Sequence, residues 1–392
     1  MTDLHRLIKK KELVDLTIRL VQLPTENPPG NEKVAAQFLK PVLSKMGFKV
    51  KTLLSPKGRW NLIGERRWGN GGQTLIFNGH LDVVPAGDPS QWKYPPFQGK
   101  LHKGRIYGRG ASDMKSGIAS FIHALSMIDR SKTHLHQGTV ILHLVSDEES
   151  HGHQGMGFLT QKGGIHGDAA LVGEPTDLFP VIAHKGALWL KISTLGKSAH
   201  SARPHLGVNA IEKMMKLIHQ INLISLEKEH PLLGKPTLNV GTIRGGTKIN
   251  IVPDRCEIEL DRRILPGEKK GEIVREVKEI LDSLRLQDPL FQYQMEEIDS
   301  AEPSEVNPEE EIVRMGVEAI HQVTGESRPL RAFSGFTDSR YYINQCRIPT
   351  LVLGPGETNQ IHTKDESVEV EALVWAAHIY ALIVINYLSR KR

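Results

Sequence analysis

Four short apolar runs constrain this chain more than anything else in it: Thr74 to Asn78, Thr139 to Val145, Ala169 to Val172 and Pro349 to Leu353. Each is too short to stand as a helix and too apolar for a strand with one wet face, so each reads as a strand buried on both sides. Helical segments alternate with them. Asn31 to Met46 places Val34, Phe38, Val42 and Met46 on one stripe, with Ala35, Leu39 and Leu43 beside it and Gly47 as the expected C-cap. Ser116 to Ile128 groups Ile118, Phe121, Ile122 and Leu125, and Glu309 to Val323 is a further helix. This rhythm predicts an α/β fold: a mostly parallel sheet with helices on both faces.

Between these stretches the pattern changes. Gly186 to Leu195 alternates as a strand, Val208 to Leu223 is a helix, and Thr237 to Arg244 and Arg255 to Arg263 are strands. Glu268 to Leu284 is a helix and Phe291 to Ile298 a strand. The order β-α-β-β-α-β is that of a ferredoxin-like α+β unit. The economical division is a domain of residues 1–182 and 299–392 with a second domain, 183–298, inserted into it.

Length agrees, since 392 residues exceed what one compact core usually holds. Two cysteines, Cys256 and Cys346, argue against a disulfide framework and for a reducing cytoplasm. The net charge of +5 comes from scattered basic residues, which argues against nucleic-acid binding. The segment from Met1 to Leu16 is basic but has no apolar stretch behind it, and reads as an amphipathic helix on Leu4, Leu7, Ile8, Leu13 and Leu16. No window is expected to reach the roughly 18 apolar residues of a membrane span. The longest apolar run, Val374 to Leu388, contains His378 and Asn386 and reads as a core helix.

The chemistry lies just beyond the buried strands, the edge where open α/β sheets bind ligands. His80 and Asp82 follow the first run: the imidazole can offer one nitrogen to a metal while a carboxylate takes its other N–H. Gly108 to Gly117 brings Asp113 just before a helix, where a plain N-cap is the competing reading. Met114 stands where a phosphate-binding loop needs glycine, which excludes that motif. Asp147, Glu148 and Glu149 end the second run; three successive carboxylates repel unless a cation is near, the alternative being a solvated acidic turn. If functional, one glutamate binds metal and its neighbour takes a proton from water. Glu174 follows the third run and His362 the fourth. Together they form a mixed nitrogen and oxygen set suited to zinc. His134, His136, His151 and His153 lie in polar stretches and read as surface residues.

Gly-His-Leu-Asp at 79–82, Gly-Arg-Gly-Ala-Ser-Asp-Met-Lys at 108–115, Asp-Glu-Glu at 147–149, Gly-Glu-Pro-Thr at 173–176 and the late His362 resemble, in order, the M20 metallopeptidase and deacylase family, in particular its acetylornithine deacetylase and succinyl-diaminopimelate desuccinylase group. The resemblance runs from about Asp15 to Val370 and includes the inserted domain; Ser116 departs from the glycine common there. It implies two divalent ions, zinc first, with cobalt or manganese as substitutes. His80 and Glu174 would complete one ion's shell and Glu149 and His362 the other's, with Asp113 bridging both. Asp82 would orient His80, Glu148 would be the general base, and the Asp113–Met114 peptide bond would be cis.

In the inserted domain, His200 matches a histidine that reaches the partner subunit's active site and stabilises the oxyanion, which implies a homodimer through that domain. Asn250 and Arg263 match positions that hold a substrate carboxylate; a guanidinium fork suits that anion, and strand register decides whether Arg262 or Arg263 presents it. The activity implied is hydrolysis of the amide bond of a small N-acyl amino acid, with metal-bridging water as nucleophile. A dipeptidase or carboxypeptidase of the same fold is the near alternative, and a catalytically silent small-molecule-binding protein the distant one. Neither nucleic acid nor membrane is an expected partner.

Overall fold

The structure, a computed structural model, describes residues 3–131 and 135–389. The chain forms two compact units. The first holds the chain through Ile182, Glu305–Arg331 and the chain from Thr337; the second holds Ala183–Ser304 and Ala332–Phe336.

In the first unit, Gly138–Val145, Thr74–His80, Ala169–Val172 and Thr350–Val352 lie side by side and parallel. The register pairs His80 with Val145 and Asn78 with Val172, so the carboxyl ends of three strands finish together. Antiparallel strands form the margins: Trp60–Trp68 on Gly138–Val145, Lys49–Leu54 beyond it, and Val181 against Val352 on the other side. The two marginal strands near the start carry no clear apolar signal, because Lys49, Lys51, Glu65, Arg66 and Arg67 break their runs. A small sheet of Lys100–His102, Arg105–Tyr107 and Ser367–Glu369 stands apart.

Helices Lys10–Val21, Glu32–Lys45, Lys115–Arg130, Glu311–Thr324 and Val370–Leu388 belong to this unit. Glu32–Lys45 buries Ala35, Ala36, Leu39 and Leu43, whereas Val34, Phe38 and Val42 are only half-buried, so its apolar stripe is centred one residue further round than the sequence suggests. Near the start, Asp3–Leu7 is a separate 3-10 turn ahead of Lys10–Val21, not one continuous helix; Met1 and Thr2 lie outside the described residues. Phe77 stacks on Phe121 at 3.9 Å between centroids and Tyr380 meets both rings, with all three side chains fully buried. Burying a side chain of this size contributes about 1.5–3 kcal/mol.

Val370–Leu388 corrects one expectation: by length and composition, this 19-residue helix could cross a membrane. It is a core helix all the same, with 67% of its apolar window buried and Leu373, Ile379, Ile383 and Leu388 fully so.

The second unit is the ferredoxin-like arrangement, a four-stranded antiparallel sheet in the order Thr237–Gly245, Arg255–Ile264, Gly186–Leu195, Gln292–Ala301. Helices Ala210–Ile221 and Lys270–Gln287 supply Met214, Leu217, Val277 and Leu281 to a core shared with Leu190, Ile258 and Leu260. Cys256, Ile258, Leu260, Arg262 and Ile264 share the buried face of their strand, so Arg263 projects to the other side.

Candidate metal centre

At the carboxyl edge of the first unit's sheet, six of the expected residues come together. His80 is the last residue of its strand, Glu148 and Glu149 lie in the turn after Gly138–Val145, and Glu174 follows Ala169–Val172. Asp113 precedes the helix Lys115–Arg130, and His362 lies in the loop after Thr350–Val352. The helix reaches this edge because residue 117 is glycine: a β-carbon there would collide with the main-chain oxygen of Gly173, next to Glu174.

His80 Nε2 is 3.0 Å from Asp113 Oδ1 and 3.7 Å from Glu174 Oε2. His362 Nε2 is 2.9 Å from Glu149 Oε2 and 3.6 Å from Asp113 Oδ2. Asp113 therefore faces both imidazoles, one with each oxygen. Candidate donor atoms of His80, Glu148 and Glu174, and of His80, Asp113 and Glu149, form two groups each within 4.8 Å. Asp113 is not a helix cap: Met114 holds that position and no side chain caps the helix. The Asp113–Met114 peptide bond is cis.

Asp82 acts differently from a simple imidazole partner. The ring Nδ1 of His80 lies 2.9 Å from the main-chain oxygen of Asp82 and 3.7 Å from its carboxylate. The carboxylate accepts the N–H groups of Glu148 (3.2 Å) and Glu149 (3.3 Å), and the Asn27 amide at 2.9 Å. Behind the turn, Arg59 pairs with Glu32 and donates to Asp147 at 2.9 Å. Asp147, His151 and His362 all have positive φ, so left-handed backbone at non-glycine residues concentrates here, as it does at functional sites.

The electrostatics call for cations. Burial first, and the neighbouring charge of Asp113, push Glu149 up to about 7 and Glu174 up to about 8. Burial and the charge of Glu174 hold Glu148 well above the usual carboxylate range. Burial alone would lower His80, but Glu174 and Asp113 keep it well above the usual imidazole value. The buried Glu148 Oε1 has no hydrogen-bond partner among the described residues. Crowded carboxylates, two imidazoles and an orphaned oxygen fit divalent cations, because nearby positive charge offsets the cost of burying these carboxyl groups ionised.

His200 and Asn250 are exposed residues of the second unit, and the His200 Nδ1 accepts the Ala202 N–H at 3.1 Å. Arg263 is half-buried and donates to Asp261 at 3.0 and 3.2 Å, while Arg262 is buried against Glu268 at 2.7 Å. His136 and His153 are exposed, as expected, and His134 lies outside the described residues. His151 is the correction: it is buried, and Arg340 and Tyr341 donate to its carbonyl at 2.6 and 2.9 Å.

Two further buried carboxyl groups, Asp338 and Glu366, belong to none of these motifs. Asp338 is fully buried, with Oδ1 unpartnered among the described residues, and burial pushes it up to about 6. Glu366 is fully buried behind Asp113 and ion-paired to Arg109. Its one sequence signal was its place four residues after His362.

Comparison with known proteins agrees with this geometry. Residues 76–386 match peptidase family M20/M25/M40. The chain is 33% identical to an acetylornithine deacetylase of Photorhabdus laumondii, over 93% of this chain and 94% of that one. It is 28% identical to a probable succinyl-diaminopimelate desuccinylase of Staphylococcus aureus, over 97% and 99%. The solved structure of an M20 family metallo-carboxypeptidase from Sulfolobus solfataricus superposes with a TM-score of 0.81 at 20% identity, covering 96% and 99%. The resemblance carried by the motifs extends to nearly the whole length, and the chain belongs to peptidase family M20/M25/M40.

Proposed function

We propose that this chain is a two-metal amidohydrolase that cleaves the amide bond of a small N-acyl amino acid, with the catalytic centre in the first unit. The observation that carries the reading is the gathering of buried His80, Asp113, Glu148 and Glu174 with the half-buried Glu149, and His362 at their rim. Its support beyond geometry is the pair of relatives named for deacetylation and desuccinylation.

His80 and Glu174 would hold one divalent ion and Glu149 and His362 the other, with Asp113 placed to serve both. When bound, such a pair supplies Lewis acidity toward an amide carbonyl and lowers the pKa of water. Zinc suits the donors best, with cobalt or manganese able to replace it. Glu148 takes a proton from the attacking water and delivers it to the departing amine, a task suited to a carboxyl that burial and the charge of Glu174 hold well above the usual carboxylate range. Asp82 keeps Glu148 and Glu149 in place through their main-chain N–H groups and supports His80 from its carbonyl.

The second unit is assigned to dimerisation and substrate recognition. His200 offers a donor to the oxyanion in a second copy's site, and Asn250 and Arg263 bind the substrate carboxylate. The strand Thr237–Gly245, at one edge of its sheet among the described residues, and exposed Ile243 and Ile249 support self-association.

The test is amine release from a panel of N-acetyl, N-succinyl and N-formyl amino acids together with dipeptides, with zinc or cobalt and again with chelator. Metal-dependent release from one acyl class is the expected result. Release from dipeptides alone would move the protein to the peptidase branch, and no release from any substrate would overturn the reading.

A further inference from the structure

Behind the candidate centre lies a buried ion pair that the mechanism above does not use. Glu366 Oε1 accepts the main-chain N–H groups of Ser112 (2.8 Å) and Asp113 (3.0 Å). Its Oε2 accepts Arg109 Nη1 at 2.7 Å and the Gly110 N–H at 3.1 Å. Arg109 Nη1 also donates to the Thr363 carbonyl at 3.1 Å, and the Gly108 N–H to the Glu366 carbonyl at 2.8 Å. Glu366 is fully buried, Arg109 is 3% exposed, and the Arg109 guanidinium lies 5.0 Å from the centre of the Trp92 ring.

The contacts are one-sided. They fasten the loop that carries Asp113 to the loop that carries His362, residues 254 positions apart by the Arg109–Thr363 bond. Among the described residues, no hydrogen bond from the pair reaches His80, Glu149 or Glu174. A carboxylate with four donors is fixed in position, and the peptide plane of Asp113 is fixed with it. Carboxylate and guanidinium are both needed, since either one alone would be an uncompensated buried charge.

We propose that Arg109 and Glu366 form a positioning clamp that holds the loop of His362 against that of Asp113 and, because His362 serves one ion whereas Asp113 serves both, tunes the affinity of the ion at His362 more than that of its neighbour. The clamp rests on the two-metal reading. Residues behind metal ligands typically change metal affinity by about 10–100-fold when removed. Glutamine at 366 keeps the size of the side chain but turns an amide N–H₂ toward main-chain donors or toward the guanidinium. Lysine at 109 keeps the charge but cannot bond Glu366 and Thr363 as a planar fork does.

The experiment titrates Co²⁺ into chelator-stripped full-length protein and follows visible absorption, for wild type, Glu366→Gln and Arg109→Lys, with thermal melts of the stripped proteins as a check on folding. Wild type is expected to take up two ions. In a variant that melts cooperatively, one of the two binding events should weaken by about 10–100-fold while the other moves by less than about threefold. If Glu366→Gln does not fold, Arg109→Lys decides. Unchanged binding of both ions, or equal weakening of both, would overturn the clamp. Failure of wild type to bind two ions would instead overturn the two-metal reading beneath it.

Discussion

The first unit's sheet edge and the second unit's loops hold their polar residues in opposite ways. At the sheet edge, His80, Asp113, Glu148 and Glu174 are buried, with His80 bonded to Asp113 and to the Asp82 carbonyl and Glu148 Oε1 without a partner among the described residues; on the second unit, His200 and Asn250 are exposed and Arg263 is only half-buried. Burying like charges costs free energy, and the apolar packing beneath the edge must offset it. An exposed donor costs almost nothing in folding and is free to meet a ligand. One region thus carries repulsion that a bound cation or a proton relieves, whereas the other carries availability.

That contrast can be broken first at its strongest point. Glu148→Gln should retain metal while kcat falls by about 10²–10⁴, the usual range for a general base; near-wild-type turnover with full metal content would remove Glu148 from catalysis. His200→Ala should lower kcat by about 10²–10³, as loss of an oxyanion donor does, with the melting temperature unmoved because the residue is exposed. A large loss of stability there would place His200 in the folding class instead.

Within the second unit the two adjacent arginines should separate the same two behaviours. Arg262→Ala breaks a buried pair with Glu268 and should cost about 3–5 kcal/mol in denaturant unfolding. Arg263→Ala should cost less than about 1 kcal/mol and instead raise KM. Equal destabilisation by both would erase the distinction between faces of that strand.

The smallest effect is in pH. In metal-free protein Glu149 and Glu174 titrate near about 7 and 8, against 4.5 when exposed. A carboxyl raised in the folded state contributes stability that is complete below its unfolded pKa and lost as pH rises through the folded one. Chelated protein should therefore melt about 5 °C lower at about pH 8.5 than at about pH 5.5, and zinc should flatten the trend; a rise with pH would contradict the assignment.

The parallel core was legible because Thr74–His80, Gly138–Val145 and Ala169–Val172 are apolar on both faces, and a covered strand has no polar face to confuse the reading. Trp60–Trp68 was not, since Glu65, Arg66 and Arg67 sit on a margin where one side is wet. The donors were legible because each follows a recognisable strand or opens a helix, and the order of motifs did the rest. His151 was misjudged because what buries it, Arg340 and Tyr341, lies about 190 residues away. Glu366 was overlooked for the same reason: Arg109 and the main-chain N–H groups that hold it lie about 255 residues away. Asp82 was read as a partner for one imidazole, whereas its carboxylate organises the turn of two glutamates.

The pairing of Ala187 with Ala301 has a consequence for how such a chain tolerates change. The long excursion, Ala183–Ser304, begins and ends on neighbouring strands, so its two ends are held about one strand spacing apart, roughly 5 Å. A flexible loop of this length would impose a closure entropy growing with the logarithm of its length. Here the folded insert absorbs that term internally, and the host chain meets the equivalent of a tight turn. Exchanging the whole insert for a few residues should therefore leave the host sheet able to close, which makes its interior an unusually permissive place for evolution to try new recognition surfaces.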